Sequence, residues 1–294
     1  MRLDRALTLG LFRLKRRLMD NQSHRLPVLM YHGISDLPET VPHYFRTNTG
    51  IALFWKQMHW LAENGYQTIE LPKAVEQLLV KEATGKKQVA ITFDDGFKNF
   101  YTHAFPILER HGFVATVFLP TAFISNGEER ISFKGAECLS WNDVRALRQA
   151  GITFGSHTVS HPRLRELPWP EIEFEICASK IELEQQLAEP ITTFAFPYAF
   201  PQSDHPFASK FKQLLSHAGY RCCATTEIGR MKAGDDSFYL KRLPINSSDD
   251  LALFQAKLEG AYDWLALPQR LIKSGKEFVH QVRFLRPQHC NERN

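Results

Sequence analysis

Val89-Ala90-Ile91-Thr92-Phe93-Asp94-Asp95-Gly96 opens as an unbroken apolar and β-branched run and ends abruptly on two carboxylates and a glycine. Apolar residues at consecutive rather than alternate positions suit a strand buried on both faces, which a helix-covered parallel sheet provides. The pattern recurs outward in both directions. Candidate strands are Leu26–Tyr31, Gln67–Ile69, Val89–Phe93, Ala115–Leu119, Ile152–Gly155, Thr193–Phe196 and Arg221–Thr225. Helical periodicity fills the intervals near 51–64, 71–81, 98–111, 141–150, 170–188, 207–218 and 249–259. About seven βα units with no linker between them predict a single parallel α/β domain over residues 23–264, closed or nearly closed as a (β/α) barrel.

In such a barrel, chemistry collects at the carboxyl ends of the strands. Four candidate strands end in chemically capable residues. Phe93 runs into Asp94-Asp95-Gly96, and Gly155 into Ser156-His157-Thr158-Val159-Ser160-His161-Pro162; Tyr31 runs into His32-Gly33, and Phe196 into Pro197-Tyr198. Adjacent carboxylates repel unless a cation or proton intervenes. Alone, Asp94-Asp95-Gly96 also reads as a turn in which Asp95 caps the next helix. His157 and His161 stand four residues apart, but Pro162 disfavours helical geometry just before it, which puts His161 on a tight loop. Taken singly, this pair also fits one core and one surface histidine. Together, one aspartate and two histidines supply three ligands and leave a position for water, the pattern of a catalytic zinc-type site. A second carboxylate then stands beside it as general base. Because a bound cation brings the pKa of its water from about 15.7 to about 7, the implied chemistry is hydrolysis.

These residues resemble the polysaccharide deacetylases, the NodB-homology domain of carbohydrate esterase family 4. Thr92-Phe93-Asp94-Asp95-Gly96 is similar to the first motif of that family, His157-Thr158-Val159-Ser160-His161 to the second, and Phe194-Ala195-Phe196-Pro197-Tyr198 to the third. The resemblance covers residues 26–245, and Met30-Tyr31-His32-Gly33-Ile34 is similar to the subgroup whose barrel starts with such a segment. It implies a distorted, NodB-like barrel that removes an N-acetyl group from an amino sugar. On that basis Asp95, His157 and His161 hold a divalent metal, Zn2+ first, with Ni2+, Co2+ or Mn2+ as alternatives, and Asp94 deprotonates the attacking water. The backbone N–H of Tyr198, next to Pro197, helps stabilise the oxyanion. Trp141 resembles an aromatic wall of the site, and reads equally well as a helix-start anchor in the core.

Two positions depart from the family pattern. Ala195 stands where many members carry an arginine that pairs with the base; Arg242, in Lys241-Arg242-Leu243-Pro244-Ile245, is the candidate to bring that charge from another strand, with a structural ion pair as the alternative. The late histidine that serves the family as general acid has no clear counterpart. His32 is the candidate to protonate the leaving amine, with a core role as the alternative.

The chain has 294 residues and a formal charge of +4, ordinary globular composition that excludes disorder and low complexity. The charge sits at the ends. Residues 1–20 hold Arg2, Arg5, Arg13, Lys15, Arg16 and Arg17 against Asp4 and Asp20, and residues 265–294 hold six bases against two acids. A nearly neutral middle predicts no nucleic-acid partner. Leu3, Leu7, Leu11, Leu14 and Leu18 recur at helical spacing among these bases. Residues 1–22 therefore read as a basic amphipathic helix, packed on its own domain or laid on an anionic membrane surface through residues 1–20. Residues 265–294 read as a basic C-terminal extension. Five scattered cysteines without a CxxC, and no recognised signal peptide, predict a cytoplasmic protein, on the inner face of the membrane if the helix binds lipid. The expected substrate is then an N-acetylated amino sugar in a glycan precursor, such as a lipid-linked one. A deformylase or other small-amide hydrolase on the same fold, and a non-catalytic carbohydrate-binding relative, are the competing readings. Gly260-Ala261-Tyr262-Asp263-Trp264 is distinctive and suggests no role by itself.

Overall fold

The Val89–Phe93 run is the buried part of a longer strand, Lys87–Phe93, that is paired along both edges. The structure, a computed structural model, describes residues 3–18, 25–37, 46–79, 86–127 and 129–269. In chain order its helices are α1 Leu3–Leu18, α2 Ile51–Glu63, α3 Leu71–Leu79, α4 Phe105–Arg110, α5 Trp141–Gln149, α6 Trp169–Leu187, α7 His205–His217 and α8 Leu251–Leu258. A π-helical turn, Phe100–Ala104, leads into α4. The strands are β1 Arg25–Leu26, β2 Val28–Tyr31, β3 Tyr66–Thr68, β4 Lys87–Phe93, β5 Thr116–Leu119 and β6 Ser132–Phe133. They continue as β7 Ala136–Glu137, β8 Thr153–Ser156, β9 Thr193–Ala195, β10 Cys222–Ile228, β11 Met231–Lys232 and β12 Leu240–Pro244.

Seven strands, β2, β4, β5, β8, β9, β10 and β12, close a parallel ring, because β12 pairs with β2 and β2 with β4. The expected barrel is therefore present, with two changes in its membership. β3 lies outside the ring: it pairs with Lys87–Val89 at the start of β4, while β5 takes the same edge at Thr92 and Phe93. The seventh place goes to β12, which the candidate strands omit. Its sequence, Leu-Lys-Arg-Leu-Pro, carries two charges and a proline, so apolar patterning passes over it.

Alternation along each strand sorts side chains into two layers. Val28, Ala90, Phe118, Ala195, Cys222, Ala224 and Leu240 share the cluster inside the ring. Leu29, Ile91, Val117, Phe154, Phe194, Cys223 and Leu243 pack outward onto helix residues such as Phe54, Met58, Leu108, Ile172 and Phe211. The largely small inner residues leave room for polar groups near the carboxyl ends of the strands.

α1 packs on its own domain, and the Gly260–Trp264 segment is its socket. Tyr262 donates its hydroxyl to Asp4 Oδ2 at 3.0 Å, Trp264 Nε1 donates to Thr8 Oγ1 at 3.1 Å, and Arg5 pairs with Asp250 at the start of α8. Asp263 accepts from Arg230 Nε and Nη2 at 3.2 and 3.1 Å. Gly260 is required above them: its φ is +82°, and a Cβ there would lie 1.7 Å from Arg230 Nη2. The helix thus docks through its polar side. Asp4 and Thr8 are buried, whereas Leu3 is 70% and Leu7 52% exposed. Beyond residue 264 the chain stays on the barrel as far as described, with Gln269 accepting from the Ile228 N–H and donating to the Thr226 carbonyl. The rest of the basic extension, residues 270–294, lies outside the described residues. No described helix is long and apolar enough to cross a membrane.

Candidate active site

Ala90, Thr92 and Asp94 follow one another on the inner side of β4, as the two-residue period demands. Leu240 and Arg242 do the same on β12. Arg242 is fully buried at 0% exposure, over the Phe118 ring. Its Nη1 and Nη2 donate to the two Asp94 oxygens at 2.7 and 2.8 Å, a fork that matches a carboxylate bidentately. Nε donates to the Thr225 carbonyl at 2.9 Å, and Nη1 also to Thr92 Oγ1 at 3.2 Å. All three guanidinium nitrogens are thereby engaged. Burial alone would raise the Asp94 carboxyl; Arg242, and then His157, more than reverse this and hold it below the ordinary range. Asp94 is a carboxylate at neutral pH despite its burial.

Immediately after Asp94 the backbone turns, with φ +73° at Asp95 and +62° at Gly96. This aims the Asp95 side chain at two histidines rather than at Arg242. His157 follows β8, and its Nδ1 is 2.7 Å from the Ala195 carbonyl oxygen. With Nδ1–H as the donor, Nε2 is left toward Asp95, 3.7 Å from Oδ1. His161 lies on the loop before Pro162 with φ +54°, and its Nε2 is 3.2 Å from the same oxygen. Buried Glu175 of α6 holds that loop, accepting from the Val159 and Ser160 N–H groups at 2.8 and 2.9 Å. Burial, and next the neighbouring His161, lower His157 to about 3, so it is a neutral imidazole as a metal ligand must be.

Asp95, His157 and His161 are all buried, with ligand atoms within 4.8 Å of one another. Asp95 Oδ1 has no hydrogen-bond partner among the described residues, although two imidazole nitrogens stand beside it. Legs of about 2.0–2.2 Å at tetrahedral angles put ligand atoms about 3.3 Å apart, so 3.2 and 3.7 Å read better as ligand-to-ligand edges around a cation than as failed hydrogen bonds. The residues fit a divalent metal. Five of the six described non-glycine residues with positive φ lie at this site: Asp95, Lys134, Thr158, His161 and Tyr198. At about 1–3 kcal/mol each, that strain is held by the surrounding fold.

His32 follows β2 near both carboxylates. Burial lowers its pKa, with Asp95 and then Asp94 pulling the other way. Tyr198, 41% exposed and next to Pro197, meets the His161 ring edge-on at 4.7 Å. Trp141 is the first residue of α5, 2% exposed and packed in the outer core, after a capping box of Ser140 and Asp143. It also borders a cavity of about 710 Å³ with Thr121, Ile124, Val159 and Glu182. Sequence reasoning passed over Lys134, whose Nζ donates to Asp95 Oδ2 at 3.0 Å, and Glu175. Lys134-Gly135 reads locally as a turn, and nothing in that reading links it to a site 39 residues away.

Residues 81–223 match the family model described as polysaccharide deacetylase. The Bacillus subtilis protein YxkH, whose name places it among the polysaccharide deacetylases, is 27% identical over 241 residues, 80% of this chain and 76% of that one. The poly-β-1,6-N-acetyl-D-glucosamine N-deacetylase of Escherichia coli K12 is 30% identical over 137 residues, 44% of this chain and 20% of that protein; the match spans only a fifth of its length. Among solved structures, the Streptococcus pyogenes deacetylase PplD in complex with acetate superposes with a TM-score of 0.69 at 24% identity, over 81% of this chain and 99% of that one, a likeness of fold.

Proposed function

We propose that the protein is a metal-dependent hydrolase that removes an N-acetyl group from an amino sugar in a glycan or glycan precursor, a reading supported by the match of residues 81–223 to the polysaccharide deacetylase family model. The observation that carries this reading is the three-ligand cluster of Asp95, His157 and His161 beside a second carboxylate, Asp94, kept ionised by Arg242. When bound, the divalent metal, Zn2+ first, acidifies a coordinated water and polarises the acyl carbonyl. Asp94 takes the proton of the attacking water, and Arg242 keeps it a base in a buried setting. The Tyr198 backbone N–H, in a residue of left-handed conformation, would serve as donor to the developing oxyanion. His32 gives a proton to the leaving amine; its lowered pKa makes it a strong donor once charged.

Purified protein is expected to release acetate from N-acetylated glucosamine oligomers, to lose that activity to a chelator, and to regain it with Zn2+. Faster turnover of N-formyl sugars or ureides would move the assignment to the small-amide alternative. Absence of stoichiometric metal, with binding of sugar but no turnover, would move it to a carbohydrate-binding relative.

We further propose a lipid-linked glycan precursor at an anionic membrane surface, on the cytoplasmic side, as the setting of the reaction. Leu3 and Leu7 turned outward on a helix latched by its polar side support this, as do the basic residues of 1–20, at about 1 kcal/mol each near anionic lipid. Buried free thiols at Cys138, Cys222 and Cys223 suit a reducing compartment. Leu3→Glu with Leu7→Glu is expected to abolish sedimentation with phosphatidylserine vesicles and leave turnover of a soluble substrate unchanged. Equal vesicle binding by that variant would remove α1 from the proposal.

A further inference from the structure

We propose that Lys134 is a positioning residue of the metal centre: its ammonium pins one oxygen of Asp95 so that the other is presented to His157 and His161. The inference rests on the metal-dependent reading above. Lys134 forms the tip of the β6–β7 hairpin with Gly135, at φ +51° and +80°, the pair of left-handed residues that a two-residue primed turn requires. Asn or Asp is the usual occupant of such a first position, and lysine adopts that left-handed conformation only at a backbone cost. That conformation aims its side chain down into the site.

The hairpin is tied to the metal ligands at its base and along its side. The Cys138 N–H donates to the Ile131 carbonyl at 2.9 Å, and the Leu139 N–H to the carbonyl of Gly96, next to Asp95, also at 2.9 Å. Phe133 stacks on Phe123 at 4.3 Å and packs on His161 at 5.1 Å. The ammonium lies 4.6 Å from the centre of the Phe133 ring and 5.5 Å from that of Tyr198 before it reaches Asp95 Oδ2 at 3.0 Å. Oδ2 is therefore occupied, and the unpartnered Oδ1 is the atom 3.2 and 3.7 Å from the two imidazole nitrogens. A carboxylate held in this way offers a single oxygen in a fixed direction.

Outer hydrogen bonds of this kind typically contribute 10–100-fold to metal affinity. The positive charge of Lys134 acts in the opposite sense, since it repels a dication. The direction of change in a variant thus separates positioning from competition. Zn2+ affinity would be measured on the full chain by titration against a chromophoric chelator, for wild type, Lys134→Met and Lys134→Arg. Lys134→Met is expected to bind Zn2+ about 10–100-fold more weakly, and Lys134→Arg, which can still donate to Oδ2, to stay close to wild type. Lys134→Arg should retain the metal-free melting temperature, whereas Lys134→Met removes the donor to the buried Asp95 carboxylate and should lower it; both are measured alongside, and affinities are compared at a temperature where each chain is folded. Equal or tighter binding by Lys134→Met overturns the inference, as does a loss that Arg fails to restore. A wild-type chain that takes up no Zn2+ overturns the metal-dependent reading itself, and this inference with it.

Discussion

Asp94→Asn is expected to lower deacetylation by about 10²–10⁴-fold while leaving metal content unchanged. The amide keeps the size of the side chain and can still accept from Arg242, but it cannot take a proton from water. The three ligand residues are untouched, because Asp94 faces Arg242 at 2.7 and 2.8 Å while Asp95 faces the histidines. Acetate release under single-turnover conditions, together with metal analysis of the same preparation, separates a lost base from a lost metal. Wild-type activity in the Asn variant would sink the assignment of Asp94, and loss of metal would mean that the two carboxylates do not divide the work as proposed.

Arg242→Met should cost stability as well as turnover. Methionine fills much of the volume but leaves the buried Asp94 carboxylate, 3% exposed, without its counter-ion, a change that typically costs about 3–5 kcal/mol. The pH dependence fixes the sign. In the wild type the folded pKa of Asp94 lies below its unfolded value, so its contribution is full above the unfolded pKa and is lost as pH falls through the folded one. Without the guanidinium, burial dominates and the folded pKa rises above the unfolded value. The variant should then be most destabilised at neutral pH and recover part of the deficit as the carboxyl protonates. Denaturant titrations at neutral and mildly acidic pH would show this. The acid limb of its pH–rate profile should also move to higher pH. A variant equally destabilised at every pH would mean that Arg242 serves packing alone.

The site was legible in the sequence where its residues lie next to one another. Asp94-Asp95-Gly96 and His157 to His161 each follow a run whose apolar character marks a strand end, and the barrel topology brings those ends together. Contacts made across the ring were harder to read. Arg242 sits on a strand whose charges hide it from apolar patterning, yet its side chain is fully buried, since its charge is matched by Asp94. Lys134 reaches Asp95 from a hairpin, and Glu175 reaches the loop between His157 and His161 from a helix; no local periodicity encodes such a reach. The Gly260–Trp264 segment was conspicuous in sequence because three of its side chains serve other parts of the fold: Tyr262 and Trp264 hold α1, and Asp263 holds Arg230.

Arg242 also separates the moment of synthesis from the moment of activity. It lies 148 residues after Asp94 and on the last strand of the ring in chain order. While the nascent chain emerges in order, the aspartates and histidines are made first, and the guanidinium that lets Asp94 remain charged in a buried site arrives only when the ring can close. Unfinished or truncated chains ending before that strand would carry the recognisable motifs of a hydrolase without its working base.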